Sequence, residues 1–180
     1  NTKNNKIDSG AWRDDIGVAI SAHGDLNNRK VEYKTVVDLN NHDLDITNYT
    51  DGSGASITAI DGGIVVIDNP GNITINETGY GETAGIFANS CGEIYINNTG
   101  DNVVTIRANA GGVNYDDRYA KSGVGIKTMN GAGDTRSKIV ITGLVDVLVD
   151  ATKGSNEGLS AVASTIDVGG GKIIAQNGAW

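Results

Sequence analysis

Short runs of alternating apolar and polar residues recur along this chain at intervals of roughly thirty to thirty-five residues, the spacing of a repeat protein. The clearest copies are GGIVVID (62–68), CGEIYIN (91–97), SKIVITG (137–143) and GKIIAQN (171–177). A period of two places successive side chains on opposite faces of a β-strand. No segment keeps the i, i+3, i+4 spacing of an amphipathic helix, so the pattern predicts an all-β chain.

Other apolar segments flank each copy, so the repeating unit contains three strands. The first strand is predicted at 54–60, 83–89, 122–130 and 158–164, and the third at 70–77, 101–108 and 144–151. Before residue 54 the pattern is less regular, but 16–22, 34–39 and 42–47 match the three strands of an earlier unit. Because one such unit cannot bury its apolar face alone, the repeat predicts that the units stack on one another.

The apolar positions predict ladders of stacked side chains through the core. In the first strand the matching residues are Ile57, Ile86, Ile126 and Val162. In the second strand they are Val65, Ile94, Ile139 and Ile173, followed two residues later by Ile67, Ile96, Ile141 and Ala175. In the third strand they are Ile75, Ile106 and Val149.

Three strands per turn predict a right-handed parallel β-helix of about five rungs, about 24 Å long at ~4.8 Å per rung. We expect residues 1–180 to form a single β-helix segment, with 1–53 as irregular early rungs or a cap. Residues 54–180 would then be regular rungs with a loop insertion at 108–121. An antiparallel β-sandwich is the alternative fold, but it does not explain why three strand types recur in a fixed order.

Composition and charge limit the classes of partner. A formal net charge of -8 argues against a nucleic-acid partner and against a polybasic surface for binding a membrane. The single cysteine, Cys91, cannot form an internal disulfide, and we expect it to be a small buried residue of a rung. With aromatic residues at only 5%, the core must be aliphatic.

The stretches GASITAIDGGIVVIDNPGNITI, TAGIFANSCGEIYINNTG and GGGKIIAQNGAW resemble the passenger regions of bacterial autotransporters, of the pertactin-like and AIDA types. The resemblance implies that the chain is a fragment of a longer passenger, displayed at the bacterial cell surface or secreted. It also implies export through the outer membrane by a C-terminal β-barrel that these residues do not include. The implied function is a non-enzymatic adhesion or interaction scaffold. Its partner would be a host or bacterial surface protein or glycan, and self-association is a further possibility.

The main break in the period predicts the binding site. Insertions in stacked repeats become loops on one face, often the binding face. The insertion at 108–121 carries Tyr115, Asp116, Asp117, Arg118 and Tyr119. Two tyrosines beside an arginine and two carboxylates could stack on a sugar ring and bind its hydroxyls, so we predict that this loop contacts the ligand. A solvated loop without a ligand is the alternative.

No catalytic residue, metal ligand or cofactor is predicted. Polysaccharide lyases and hydrolases with this fold need clustered carboxylates. The pairs Asp14–Asp15 and Asp116–Asp117 are adjacent in sequence and would point to opposite sides of a strand. The segment 38–45 lacks the glycine and final glutamate of an EF-hand loop, and His23 and His42 are isolated along the chain. A carbohydrate-active enzyme and a purely structural stalk remain alternative functions.

Overall fold

The structure is a computed structural model that describes residues 5–10, 18–27, 31–50, 54–79, 83–112, 123–129, 136–153, 157–162 and 164–175. Regular structure in these ranges is entirely β-strand. The strands are β1 (Asn5–Gly10), β2 (Ile20–His23), β3 (Lys34–Asp38), β4 (Leu44–Thr50), β5 (Gly54–Ile60), β6 (Ile64–Asp68), β7 (Ile73–Gly79), β8 (Thr83–Asn89), β9 (Glu93–Asn97), β10 (Val104–Gly112), β11 (Gly123–Met129), β12 (Lys138–Thr142), β13 (Val145–Lys153), β14 (Glu157–Val162), β15 (Thr165–Val168) and β16 (Ile173–Ala175). Within the described ranges, no helix could cross a lipid bilayer.

Each strand pairs in parallel with the strand three places further along the chain, which makes the fold a parallel β-helix. Sheet A contains β1, β4, β7, β10, β13 and β16; sheet B contains β2, β5, β8, β11 and β14; sheet C contains β3, β6, β9, β12 and β15. One strand from each sheet makes a rung, and five rungs follow β1. The predicted all-β fold, with three short strands in each rung, is confirmed.

The inward faces of the three sheets enclose an aliphatic core. Ile57, Ile86 and Ile126 stack in register in sheet B and are fully buried. Sheets A and C supply similar ladders, and the largest fully buried side chains are Leu44, Ile46, Ile57, Ile67, Ile73, Ile75, Ile86, Ile94, Ile96, Ile106, Ile126 and Ile139. Stiff β-branched side chains suit this core because each one packs against a similar side chain one rung away.

The register corrects the predicted ladders in the last unit. Leu159 pairs with Ile126 and is buried, whereas Val162, predicted at that place, is 52% exposed. The sequence 171–177 was predicted as a second strand, but it contributes β16, a third strand, and Ile173 pairs with Val147 of sheet A. The second strand is instead β15, in which Ile166 takes the place predicted for Ile173.

The next inward position of each strand shifts in the same way. Val168 takes the place beside Ile141 that was predicted for Ala175, and Ala175 pairs instead with Val149. The physical reason is that β15 carries a weak signal. Its four residues, TIDV, have only two apolar side chains, whereas the following GKIIA has the stronger apolar run.

Sheet A also differs from the prediction. Ile106 pairs with Ile73, not with Ile75, and Ala108 takes the place predicted for Ile106. Strand β10 continues to Gly112, so 108–112 is paired sheet and not the start of a loop. The end of this strand contains only small and polar residues, ANAGG, without an apolar alternation, which is why the sequence pattern placed the insertion too early. The remainder of that insertion, 113–121, lies outside the described residues.

The strands predicted before residue 54 are present as β2, β3 and β4, although 16–17 lie outside the described residues. Strand β1, which pairs with β4, was not predicted.

The corners between sheets B and C need residues with positive φ. Asp61 and Gly62 adopt φ of 54° and 84°, and Ser90 and Cys91 adopt 49° and 66° one rung further on. Cys91 is therefore a half-buried corner residue, and its predicted place inside a rung is wrong. The next residue, Gly92, must lack a side chain because a Cβ there would lie 1.9 Å from the carbonyl oxygen of Ala59.

We expect Ile94→Asp to lower the free energy of unfolding by at least ~3 kcal/mol, because it puts a carboxylate between apolar rungs. Tyr95→Asp, at the next residue on the outer face of β9, should cost clearly less, about 1–2 kcal/mol, because it removes only surface contacts with Glu93 and Lys138. Ile94 has no exposed surface, whereas Tyr95 is half-buried. Urea titration of both variants measures the difference. Equal losses would contradict the register of sheet C.

Candidate functional site

The residues predicted to bind a ligand, Tyr115, Asp116, Asp117, Arg118 and Tyr119, lie outside the described residues. The structure does locate the strands on either side. Segment 113–122 connects β10 of sheet A to β11 of sheet B. The corresponding connection one rung earlier, from β7 to β8, contains only residues 80–82. Segment 113–122 is therefore seven residues longer than the corresponding connection one rung earlier.

A groove of about 390 Å³ crosses the outer face of sheet B and is the candidate site. Four successive strands of this sheet, β2, β5, β8 and β11, contribute to it, so it follows the column and not the strands. The lining residues are Val18, Ser21, Ala22, His23, Gly54, Ala55, Thr58, Ile60, Thr83, Ala84, Phe87, Lys127 and Met129. We call this feature the sheet B groove.

Small side chains make the floor of the sheet B groove. Ala55 and Ala84 pair in register and are only 2% and 4% exposed. In the next strand the same register position holds Val124, which is larger and is not part of the lining. The floor is therefore deepest across β5 and β8. Binding grooves in proteins are commonly apolar clefts of this size with a few polar groups.

Larger apolar side chains stand on the same face. Phe87 pairs in register with Thr58 on one side and with Lys127 on the other. The Lys127 ammonium lies 5.9 Å from the centre of the Phe87 ring, within the range of a cation–π interaction. Met129, two residues further along β11, also lines the groove. These outward apolar residues distinguish sheet B from the Thr- and Asn-rich outer face of sheet A.

Among the described residues, the polar side chains of the groove are Ser21, His23, Thr58, Thr83 and Lys127. The Nε2 atom of His23 lies 2.9 Å from an Oδ2 oxygen of Asp61, so this histidine is paired and not isolated. Thr83 is fully buried, and its hydroxyl forms no hydrogen bond within the described ranges. A buried hydroxyl without a partner costs free energy unless a ligand or water completes it. Thr83 is therefore a buried polar group in a described lining that also contains Ser21, His23, Thr58 and Lys127.

The outer face of sheet C carries a second cluster of side chains. The Tyr95 hydroxyl donates to an Oε2 oxygen of Glu93 at 2.5 Å, and Lys138 Nζ lies 3.2 Å from the same oxygen. Lys138 also lies 5.2 Å from the centre of the Tyr95 ring. Burial, together with the bond to Glu93, raises the pKa of Tyr95. The hydrogen bond with Tyr95 raises the pKa of Lys138. This cluster ties two rungs together on the surface.

A depression of about 440 Å³ lies between the outer faces of sheets B and C, at the corner that contains Cys91. Asp25, Glu32, Glu93 and Arg136 line it as well, so its character is charged. Within the described ranges, no group of three or more His, Cys, Asp or Glu residues is placed to hold a metal ion.

The carboxylates of segment 38–45 serve the corner between sheets C and A. Asp38 accepts a hydrogen bond from the backbone N–H of Asn40 at 3.0 Å, and Asp43 accepts one from the backbone N–H of Asn72 at 2.7 Å. These bonds explain why the segment is rich in acidic residues without the spacing of a calcium loop.

The buried side chain of Glu77 connects strands of two sheets. It is 1% exposed and accepts hydrogen bonds from the Asn48 amide at 2.7 Å and the Ser56 hydroxyl at 2.6 Å. These three residues belong to β7, β4 and β5, so the contacts join sheets A and B inside the column. These hydrogen bonds fix the position of β5, whose other face forms the groove.

Sequence reasoning did not find the sheet B groove. The outward positions of this sheet could have been read from the alternation, since Thr58, Phe87 and Lys127 all follow an inward isoleucine. The signal is weak, however, because only one of these three residues is apolar. The depth of the groove depends on Ala55 and Ala84, and alanine has no distinctive pattern in sequence.

The raised pKa values predict a loss of stability at alkaline pH. A pKa that is higher in the folded than in the unfolded chain stabilises the fold below the unfolded value and loses this effect as pH rises. The unfolded values are 10.0 for Tyr95 and 10.5 for Lys138. We expect the free energy of unfolding to fall above about pH 10, and less steeply in Tyr95→Phe. Denaturant titrations from pH 8 to 11 measure this.

A direct readout is the ultraviolet absorbance of tyrosinate. Subtracting the titration of Tyr95→Phe from that of the unchanged chain should leave one transition, with its midpoint above 10.0. A midpoint below that value would contradict the arrangement of Glu93 around this hydroxyl.

Comparison of the chain with protein-family models, with curated proteins and with solved structures finds no match.

Proposed function

We propose that this chain is part of a non-enzymatic interaction scaffold and that the sheet B groove contacts the partner. The observation that carries this proposal is an apolar groove of about 390 Å³ on the outside of the column. Outer faces of a water-soluble solenoid are ordinarily polar, and a lasting apolar depression on such a face is typical of a binding surface.

The contrast with sheet A supports this choice. At equivalent outward positions, β4, β7 and β10 carry Thr47, Asn76 and Asn109, and the last two are joined by a hydrogen bond of 3.1 Å. Side chains of this kind are satisfied by one another and by water. On sheet B, Phe87 and Met129 instead leave apolar surface within the groove, so this face gains most from covering by a partner.

The predicted binding loop fits the same proposal. Segment 113–122 leads directly into β11, and β11 supplies Lys127 and Met129 to the groove. We propose that the loop, with Tyr115 to Tyr119, and the groove contact one partner. Tyrosine and arginine are frequent anchors of interfaces.

The setting that we propose is the bacterial cell surface, or the medium after secretion. Support comes from the sequence resemblance to autotransporter passengers and from the shared β-helix fold. The partner would be a surface protein or a glycan-bearing molecule of a host or bacterial cell. No nucleic-acid partner is proposed, because the net charge is -8.

Adhesion of the purified chain to a panel of bacterial and epithelial cells tests this proposal. Ala84→Leu fills the groove floor, and replacing 113–122 by Gly-Ser-Gly gives this connection the length of 80–82. Each change should reduce cell-bound protein by about tenfold or more. The unfolding midpoint of the loop variant should stay close to the original, because loop length alone changes stability by about 1 kcal/mol or less. Ala84→Leu should cost about 1–3 kcal/mol, so its adhesion is measured where the chain is still folded.

The control is Val140→Leu, an enlargement by one carbon on the outer face of sheet C. It should leave adhesion unchanged. Adhesion that survives both the groove and the loop change would contradict the proposal and favour a structural stalk.

The enzyme alternative is tested with polygalacturonate and related polyuronates, with and without calcium. We expect no unsaturated or reducing ends above a blank without protein. Sustained turnover that disappears in Asp116→Asn or Asp117→Asn would contradict the scaffold proposal and assign a carbohydrate-active enzyme.

A further inference from the structure

We propose that the outer face of sheet C binds the same face of a second copy of this chain, with the two columns side by side and parallel. This contact is separate from the sheet B groove, so it goes beyond the proposed function. It follows from the rows that the stacked strands form on sheet C and from the charges that border them.

The parallel register arranges the outward side chains of sheet C in three rows that follow the column. The central row, which we call the sheet C stripe, contains Val36, Val66, Tyr95 and Val140. The first flanking row contains Lys34, Ile64, Glu93 and Lys138. The second flanking row contains Asp38, Asp68, Asn97 and Thr142. With strands ~4.8 Å apart and rows ~6.6 Å apart, the three rows cover about 14 Å by 13 Å.

The sheet C stripe presents apolar surface to solvent. Val36 is 55% exposed, and Tyr95 and Val140 are half-buried. Ile64, in the first flanking row, adds a further partly exposed apolar side chain. A continuous apolar stripe on an outer face gains free energy when a second surface covers it.

The flanking rows make this face complementary to itself. A two-fold axis along the sheet C stripe would place each residue of the stripe opposite its own copy, and each flanking row opposite the other. Lys34 then faces Asp38 of the second copy, and Asp38 faces Lys34, which gives two ion pairs in one rung. In the next three rungs, no two charges of the same sign face one another across the flanking rows.

Both members of this ion pair have bonding capacity left. The Lys34 ammonium lies 3.8 Å from a Glu32 carboxylate oxygen, and these side chains are 42% and 63% exposed. Asp38 accepts a hydrogen bond from the backbone N–H of Asn40 at 3.0 Å and one from the Asn69 side-chain amide at 3.3 Å, both at Oδ1. An ammonium has three donors and a carboxylate has about four acceptor sites, so neither group is saturated.

Charge also decides between parallel and antiparallel columns. With antiparallel columns and the same four rungs in contact, each flanking row would face itself in reverse order. Lys34 would then lie opposite Lys138 at both ends of the contact. Like charges in contact oppose association, whereas the parallel arrangement replaces them by pairs of Lys34 with Asp38.

One residue opposes the parallel arrangement. Asp167 of β15 pairs with Val140 and continues the line of the sheet C stripe, so the two-fold axis would place it opposite its own copy. Its side chain is exposed. Removal of this negative charge should therefore strengthen the dimer, a gain that damage to the fold cannot produce.

The small size of the face sets the affinity. A contact of about 14 Å by 13 Å, even with its margins, stays below the roughly 1,200 Å² in total that stable complexes bury. The net charge of -8 on each chain opposes association as well. We therefore expect a weak dimer that exchanges rapidly with the monomer.

Sedimentation velocity of the purified chain, from micromolar to millimolar concentration, tests the inference, and we expect reversible dimerisation. Val36→Lys puts two ammonium groups opposite each other and should raise the dissociation constant at least about tenfold. The matched control is Val103→Lys, with the same charge change at a residue 58% exposed in the corner between sheets C and A, and it should not raise the constant. Asp167→Asn should lower the dissociation constant about threefold.

Cross-linking tests the orientation. In a Cys91→Ser background, a short bismaleimide should join Val36→Cys to a second copy of itself, because the two copies of residue 36 face each other. Antiparallel columns would separate these residues by about 14 Å along the column, and would instead join Val36→Cys to Val140→Cys in a mixture. Cross-links that form only in the mixture would overturn the parallel dimer.

The outcomes separate this dimer from the proposed function. Val36→Lys should leave adhesion unchanged at concentrations where the chain is monomeric, because the sheet B groove is on another face. Lost adhesion with unchanged sedimentation would assign the sheet C stripe to the cellular partner and overturn the inference. A chain that stays monomeric at millimolar concentration, or equal weakening by Val36→Lys and Val103→Lys, would also overturn it. Groove variants that adhere normally would contradict the proposed function alone.

Discussion

The whole structure depends on the stacking of one rung on the next. Each strand inside a sheet forms backbone hydrogen bonds to the rungs above and below, and its inward side chains pack against their counterparts in those rungs. Both interactions act only when the strands are in register. A displacement by one residue would move the inward side chains of a strand to the outer face, so the aliphatic ladders fix the register. The corners, the outer faces and the groove all take their positions from this constraint.

That dependence explains how much could be predicted from the sequence. Where each rung repeats a bulky aliphatic residue, as at Ile57, Ile86 and Ile126, the pattern identified strand, face and partner correctly. Where a ladder passes through a small residue, as at Ala108, the pattern selected a larger neighbour and was wrong. In the last unit the short strand β15 gave a weaker signal than β16, so β15 was missed and β16, a third strand, was predicted as the second.

The candidate site was less predictable than the fold. The sequence directed attention to the break in the period, because insertions interrupt an otherwise regular pattern. The residues of the sheet B groove do not interrupt the repeat period. It arises because Ala55 and Ala84 leave room on a face where Phe87 and Met129 project, and these residues come from three different rungs. Their proximity is a consequence of stacking and becomes visible only once the register is known. The Tyr95–Glu93–Lys138 cluster depends on the register in the same way.

The direction of the hydrogen bonds gives the column unequal mechanical strength. Backbone bonds between rungs lie along the axis of the column, while the covalent chain winds around it. A force applied along the axis loads the bonds of one end rung at a time, so strands would peel away in sequence. A force applied across the axis along a strand loads all bonds of that strand together, in shear. A column of this kind would hold firmly against sideways drag and yield gradually to a pull from its end.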